Sequence, residues 1–148
     1  MKKVGLFIVL GLGVIIAVAI FSAGEMGEKS LAFAKGTVVL DDALMSETKN
    51  IKALFLIVRD ANQPMPPFGA IKITLDQPIK KNVYDFILTY DNLNRMVETK
   101  AWPEIFHIKA RLDQDGFGGM DQPGDLTGMT ENLTRGAEGV EVKINSKF

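Results

Sequence analysis

Apolar and polar residues alternate with a period of two through three stretches of this chain. In EIFHIKARLD (Glu104–Asp113), Phe106, Ile108, Ala110 and Leu112 share one face, while Ile105, His107, Lys109 and Arg111 share the other. In FGAIKIT (Phe68–Thr74), Phe68, Ala70, Lys72 and Thr74 oppose Gly69, Ile71 and Ile73. In GVEVKIN (Gly139–Asn145), Val140, Val142 and Ile144 oppose Glu141, Lys143 and Asn145. Each pattern predicts an antiparallel strand with one dry and one wet face. ALFLIVR (Ala53–Arg59) is instead apolar without interruption to Val58, which predicts a central strand covered on both sides. KGTVVL (Lys35–Leu40) and NVYDFILT (Asn82–Thr89) complete the strand-like runs.

Turn chemistry separates these runs. Asp41–Lys49 (DDALMSETK) reads as a short helical turn capped by an aspartate. In NQPMPP (62–67), Pro64, Pro66 and Pro67 have no N–H for a ladder, so the stretch is a loop or an edge. DQDGFGGMDQPG (113–124) is a glycine-rich loop. Short strands at close intervals, with no long helical pattern, predict an all-β antiparallel sandwich of about seven strands.

Ahead of this domain, Val4 to Phe21 is free of charged and polar side chains, and Lys2 and Lys3 precede it. As a helix it would extend roughly 27 Å, close to the thickness of a bilayer's hydrocarbon core. The lysines would stay cytoplasmic and the rest would lie across the membrane, giving a single-pass protein of the bacterial inner membrane with a periplasmic C-terminal domain. Cleavage as a signal peptide is the rival reading, with Ser22 and Gly24 as its small residues. The expected organisation is an anchor at residues 1–21, a short polar linker at 22–31 and a β-domain at 32–148. Gly5, Gly11 and Gly13 would permit close helix approach inside the membrane.

Charge and composition narrow the chemistry. Seventeen basic and 18 acidic residues leave a net charge of -1, without the clustered basic excess of nucleic-acid binders. The absence of cysteine excludes disulfides, thiolate metal sites and covalent haem attachment through this chain. His107 stands alone, on a polar face, without the partners that a general base or a metal site needs. Met65, Met96, Met120 and Met129 lack tight ligand spacing for copper and read as packing residues. Asp113, Asp115 and Asp121 carry a D-x-D start, yet the rest of a calcium loop is missing, so an acidic turn with permissive Gly116, Gly118 and Gly119 is expected. The Asn132-Leu133-Thr134 sequon would be idle in a bacterial envelope. No nucleophile elbow or carboxylate pair stands out, so no enzyme, cofactor, metal or small-molecule substrate is expected.

The domain resembles the C-terminal immunoglobulin-like domain of the CcmI/CycH family of cytochrome c-type biogenesis proteins. The matching landmarks are VVLDDAL (Val38–Leu44), LFLIVRDANQPMPPFGAIKI (Leu54–Ile73), LTYDNLNRM (Leu88–Met96), FHIKARLDQDGFGGMDQPGDLTG (Phe106–Gly128) and GAEGVEVKI (Gly136–Ile144). The resemblance implies an immunoglobulin-like sandwich and a setting in cytochrome c maturation, with apocytochrome c or the haem-ligation membrane proteins as partners. Family members carry a tetratricopeptide-repeat module before this domain, and the short linker here leaves no room for one.

The surface best suited to a partner combines the proline–methionine loop Gln63, Pro64, Met65, Pro66, Pro67 and Phe68 with Gln122, Pro123, Gly124 and Asp125. Prolines pre-order a loop, and Met65 and Phe68 offer apolar contact. An edge strand beside that loop would accept an extended peptide by strand addition. The alternative is that the prolines only protect a sheet edge. Trp102, before Pro103, is expected to anchor the core. Two functions fit: a non-enzymatic accessory factor of cytochrome c biogenesis, or a structural subunit of a membrane respiratory complex.

Overall fold

A computed structural model describes residues 31–148. The Val4–Phe21 anchor and almost all of the linker lie outside the described residues, among which no helix is long and apolar enough to cross a membrane. Nine strands follow in order: β1 (Ala32–Leu40), β2 (Ala53–Asp60), β3 (Gly69–Thr74), β4 (Asn82–Thr89), β5 (Asn94–Arg95), β6 (Ile105–Asp113), β7 (Leu126–Thr134), β8 (Ala137–Ile144) and β9 (Ser146–Lys147). They form a three-stranded sheet, β4-β1-β8, and a six-stranded sheet, β5-β3-β2-β6-β7-β9. All pairings are antiparallel except that of β1 with β8. The domain is therefore all-β and built from two packed sheets.

The period-two pattern sets the core. Phe106, Ile108, Ala110 and Leu112 of β6 and Val140, Val142 and Ile144 of β8 all point into one buried cluster, as their alternation requires. Leu54, Leu56 and Val58 of β2 join it, while Ala53, Phe55 and Ile57 form a second small cluster on the outer face of the larger sheet. The unbroken apolar run of β2 is thus explained by cover on both faces. Asp41 caps a 3-10 helix at Asp42–Glu47, its carboxylate accepting from the Ala43 N–H at 3.0 Å.

Two elements depart from the alternation. Phe68 sits on the wet side of its run by sequence, yet its side chain is fully buried in the main core. It lies just ahead of β3, before the strand geometry begins, and so escapes the strict alternation. β7 was not visible as a strand, because LTGMTENLT carries polar residues at nearly every exposed position and two poor strand formers, Gly128 and Asn132. Both have specific tasks. A Cβ at Gly128 would stand 1.8 Å from the Lys143 carbonyl oxygen, so only glycine lets β7 close against β8. Asn132, at φ 56°, makes a bulge opposite β6, and its N–H donates to His107 Nδ1 at 3.0 Å. His107 is half-buried and engaged in the fold rather than freely solvated.

Antiparallel pairing of β2 with β6 matches Ala53 to Asp113 and Asp60 to Phe106, which defines two ends of the sandwich. The end where β1 begins gathers Phe33, Phe68, Tyr90, Trp102 and Phe106, with ring centroids 4.4–5.7 Å apart in successive pairs. Trp102 anchors the core there, as its place before β6 suggested. The other end carries the glycine-rich loop and the last strands.

Candidate functional site

The two segments expected to form one surface lie at opposite ends of the molecule. The proline–methionine loop follows β2 beyond Asp60, whereas Gln122–Asp125 leads into β7, whose Leu126 pairs with Leu112. About seven strand residues separate them, roughly 23 Å. Single-sequence reasoning could not see this, because the distance depends on strand pairing.

The proline loop is also not the free edge it suggested. Gln63, Pro64, Met65 and Pro66 are exposed, Pro67 is half-covered, and the Met65–Pro66 bond is cis. Lys100 reaches across to donate to the Gln63 carbonyl at 2.5 Å. Phe68 offers nothing to a partner, since its ring is buried against Trp102 at 4.7 Å between centroids. The strand edge beside the loop is occupied: β5 pairs with Gly69 and Ala70 of β3. Strand addition at that place is therefore blocked.

The better-defined site is the glycine-rich loop, a flap folded over the outer face of the larger sheet. Its organiser is Arg111, expected on the polar face and found only 1 % exposed. The guanidinium lies over the Phe55 ring, 4.9 Å from its centroid. Its Nη1 donates to the Gly119 carbonyl at 2.7 Å and stands 3.3 Å from Asp121 Oδ1. Its Nε lies 3.1 Å from Asp113 Oδ2 without the alignment of a hydrogen bond, and 4.0 Å from Asp125 Oδ2. Lys109 binds the other oxygen of Asp121, and Lys72 donates to the Gly116 carbonyl. The loop thus hangs from three cations of the sheet beneath it.

Carboxylates tie the loop to itself. Asp125, 1 % exposed, accepts from the Gln114 N–H at 3.3 Å and the Gln122 N–H at 2.8 Å, joining the two ends of the flap. Asp113 accepts from the Gly116 N–H at 2.6 Å and Asp115 from the Phe117 N–H at 2.7 Å. Gly119 sits at φ 135°, a conformation that glycine adopts freely and that aims its carbonyl at Arg111.

Titration follows this geometry. Burial, then the hydrogen bond with Asp115, push Asp113 above its ordinary value despite the Arg111 charge. Burial also acts on Asp121, but Lys109 and Arg111 together outweigh it and hold that carboxyl below its ordinary value. Asp115 is lowered, chiefly by the Phe117 N–H. Of the D-x-D start that hinted at calcium, Asp113 instead lies against a resident guanidinium, while Asp115 turns to the Phe117 N–H. Among the described residues no three histidine, aspartate or glutamate side chains are placed to hold a metal ion.

The flap's outer side is apolar. Phe117 is 75 % exposed and Met120 85 %, flanked by exposed Gln122 and Pro123. Asp125 and Gly124, expected at a contact surface, serve beneath it: Asp125 as described, and Gly124 by donating to the Phe148 carbonyl at 2.9 Å. Sequence reading missed Arg111 as the organiser. Its signal was present, an arginine two residues from a D-x-D loop, but the same pattern fits a solvated strand face. No protein-family model, no curated protein and no solved structure matches this chain.

Proposed function

We propose that this chain is a membrane-anchored binding module of the bacterial envelope, an immunoglobulin-like sandwich that works in cytochrome c biogenesis without catalysing a reaction. The observation that carries the binding role is the flap, where Phe117 and Met120 are displayed to solvent by a backbone clamped through Arg111 and Asp125. Large apolar side chains on a fixed loop lose little entropy on docking, and such residues form the centres of protein interfaces. The cytochrome setting is supported by the family-like landmarks between Val38 and Ile144, and the anchor by the apolar run Val4–Phe21.

β1 begins at the aromatic end, so the chain enters the domain on the side of the proline loop, opposite the flap. A ten-residue linker spans at most about 35 Å, which keeps the domain close to membrane-embedded partners. The flap, on the far side from the linker, would be left free for apocytochrome c or a haem-ligation membrane protein.

Deleting the gene and staining for covalent haem tests the reading. Loss of c-type cytochromes, restored by the wild-type chain but not by Phe117→Ser/Met120→Ser, is expected. Unchanged haem staining after deletion would overturn the cytochrome assignment. Recovery of stoichiometric oxidase or reductase subunits after gentle solubilisation would favour a respiratory-complex subunit instead.

A further inference from the structure

The sheet edges of this domain are protected unequally. In the larger sheet the edge strands β5 and β9 are two residues long, too short to template another chain. In the smaller sheet β8 is shielded by β7: the Asn145 N–H donates to Thr127 at 3.1 Å, and the Thr130 hydroxyl donates to the Glu141 carbonyl at 2.6 Å. Among the described residues β4 is the long outer strand with no neighbouring strand over it, eight residues with no proline and a single charge, Asp85. Even that carboxylate is turned back to β1, accepting from the Thr37 hydroxyl at 2.7 Å. Between Asp85 and Ile87, β4 therefore carries neither proline nor an outward charge against an added strand; its protection lies at its ends, where Asn92 covers Thr89 and the pairing with β1 is irregular.

Asn92 shows which groups of β4 face outward. Its side chain donates to the Ile87 carbonyl at 2.8 Å and accepts from the Thr89 N–H at 2.8 Å, as a neighbouring strand would. Ladder groups alternate sides along a strand, so Asp85 and the N–H of Ile87 also point away from β1. Beside this edge the seam between the sheets is open. There β3 continues past β5, and a cleft of about 490 Å³ is lined by Ile73, Leu75, Ile79, Val83 and Tyr84 among others. Ile87 is 57 % exposed along the edge, and Lys80 and Lys81 stand exposed just before β4 begins, Lys81 bound to Asp42 at 2.9 Å.

We propose that the outer edge of β4 is a binding site for an extended segment of a partner polypeptide, which adds to the β4-β1-β8 sheet as a fourth strand. Main-chain hydrogen bonds to Asp85 and Ile87 supply the affinity, and alternate apolar side chains enter the cleft. Lys80, which unlike Lys81 has no carboxylate partner among the described residues, selects a carboxylate at the segment end lying beside it. The site is separate from the flap and stands whether or not the flap is a docking surface.

A random-sequence peptide library displayed on phage and panned on the full-length chain in detergent tests this, with the best peptide then synthesised. Expected results are slowed hydrogen exchange at the Asp85 and Ile87 amides and affinity weakened about tenfold by Ile87→Pro, which deletes one outward donor. Asn92→Ala, which frees two more ladder groups, should tighten binding severalfold. Phe117→Ser/Met120→Ser should leave it unchanged, so failure here and failure of the flap reading are told apart. The proposal is overturned if no peptide is enriched or if binding ignores both Ile87→Pro and Asn92→Ala. It is equally overturned if protein concentration alone protects the two amides, which would make the edge a contact between copies of this chain. Should Ile87→Pro fail to fold, Asn92→Ala decides.

Discussion

The two ends of this sandwich each hold an arginine against an aromatic ring, yet they are closed by opposite means. At the β1 end Arg95 lies 5.3 Å over both Phe68 and Trp102, half-exposed, and donates to the Glu98 carbonyl at 2.7 Å. Around it Phe33, Tyr90, Trp102 and Phe106 close the core by packing. At the flap end Arg111 lies over Phe55 and is almost wholly buried among Asp113, Asp121 and Asp125. Packing is non-directional and loses only what is cut away. A buried charge cluster depends on every member, because a charge left without its partner keeps its desolvation penalty.

Substitutions can sharpen that contrast. Phe33→Ala and Arg111→Ala should each cost about 3–5 kcal/mol in urea unfolding, the first by a cavity and the second by stranding buried carboxylates. Only the Arg111→Ala loss should shrink in acid, where those carboxylates take up protons. Equal losses at both pH values would erase the distinction between the ends.

Asp121→Asn should cost about 1–3 kcal/mol at neutral pH, the scale of hydrogen bonds to charged groups. Its folded pKa is lowered, so its contribution is complete above the unfolded value and disappears as pH falls through the folded one. Unfolding curves for wild type and Asp121→Asn should therefore converge in strong acid. Asp113 has the opposite sign: its raised pKa means that its contribution declines as pH rises from the unfolded value through the folded one. Asp113→Asn should accordingly be milder than Asp121→Asn at neutral pH.

Arg95→Ala should cost about 1 kcal/mol, the scale of a partly exposed cation–π contact. A loss as large as that of Arg111→Ala would show that the aromatic end also depends on charge. Smallest of all, Phe117→Ser/Met120→Ser should shift stability by no more than about 0.5 kcal/mol, since neither side chain is buried. A larger loss would show that the flap tip packs onto the domain rather than facing a partner.

Much of the first end was legible in the chain. The β6 alternation placed Phe106 in the core, and Trp102 before Pro103 read correctly as an anchor. The second end was not. Arg111 alternates with Lys109 and His107 as a wet-face residue should, and nothing within its strand reveals that a loop will fold back to cover it. The same blindness joined the proline loop to Gln122–Asp125, and left β7 unassigned because its glycine and asparagine answer to β8 and His107.

By itself the sequence determined the period-two strands, the two-sided burial of β2, the Asp41 cap and the lack of thiol chemistry. These follow from the order of side chains along a single strand or turn. Only the tertiary structure decided that Arg111 is buried, that the two expected contact loops lie at opposite ends, and that β4 is an outer strand of its sheet. Each of those depends on which strands lie side by side, and pairing brings together residues whose separation along the chain carries no local signal.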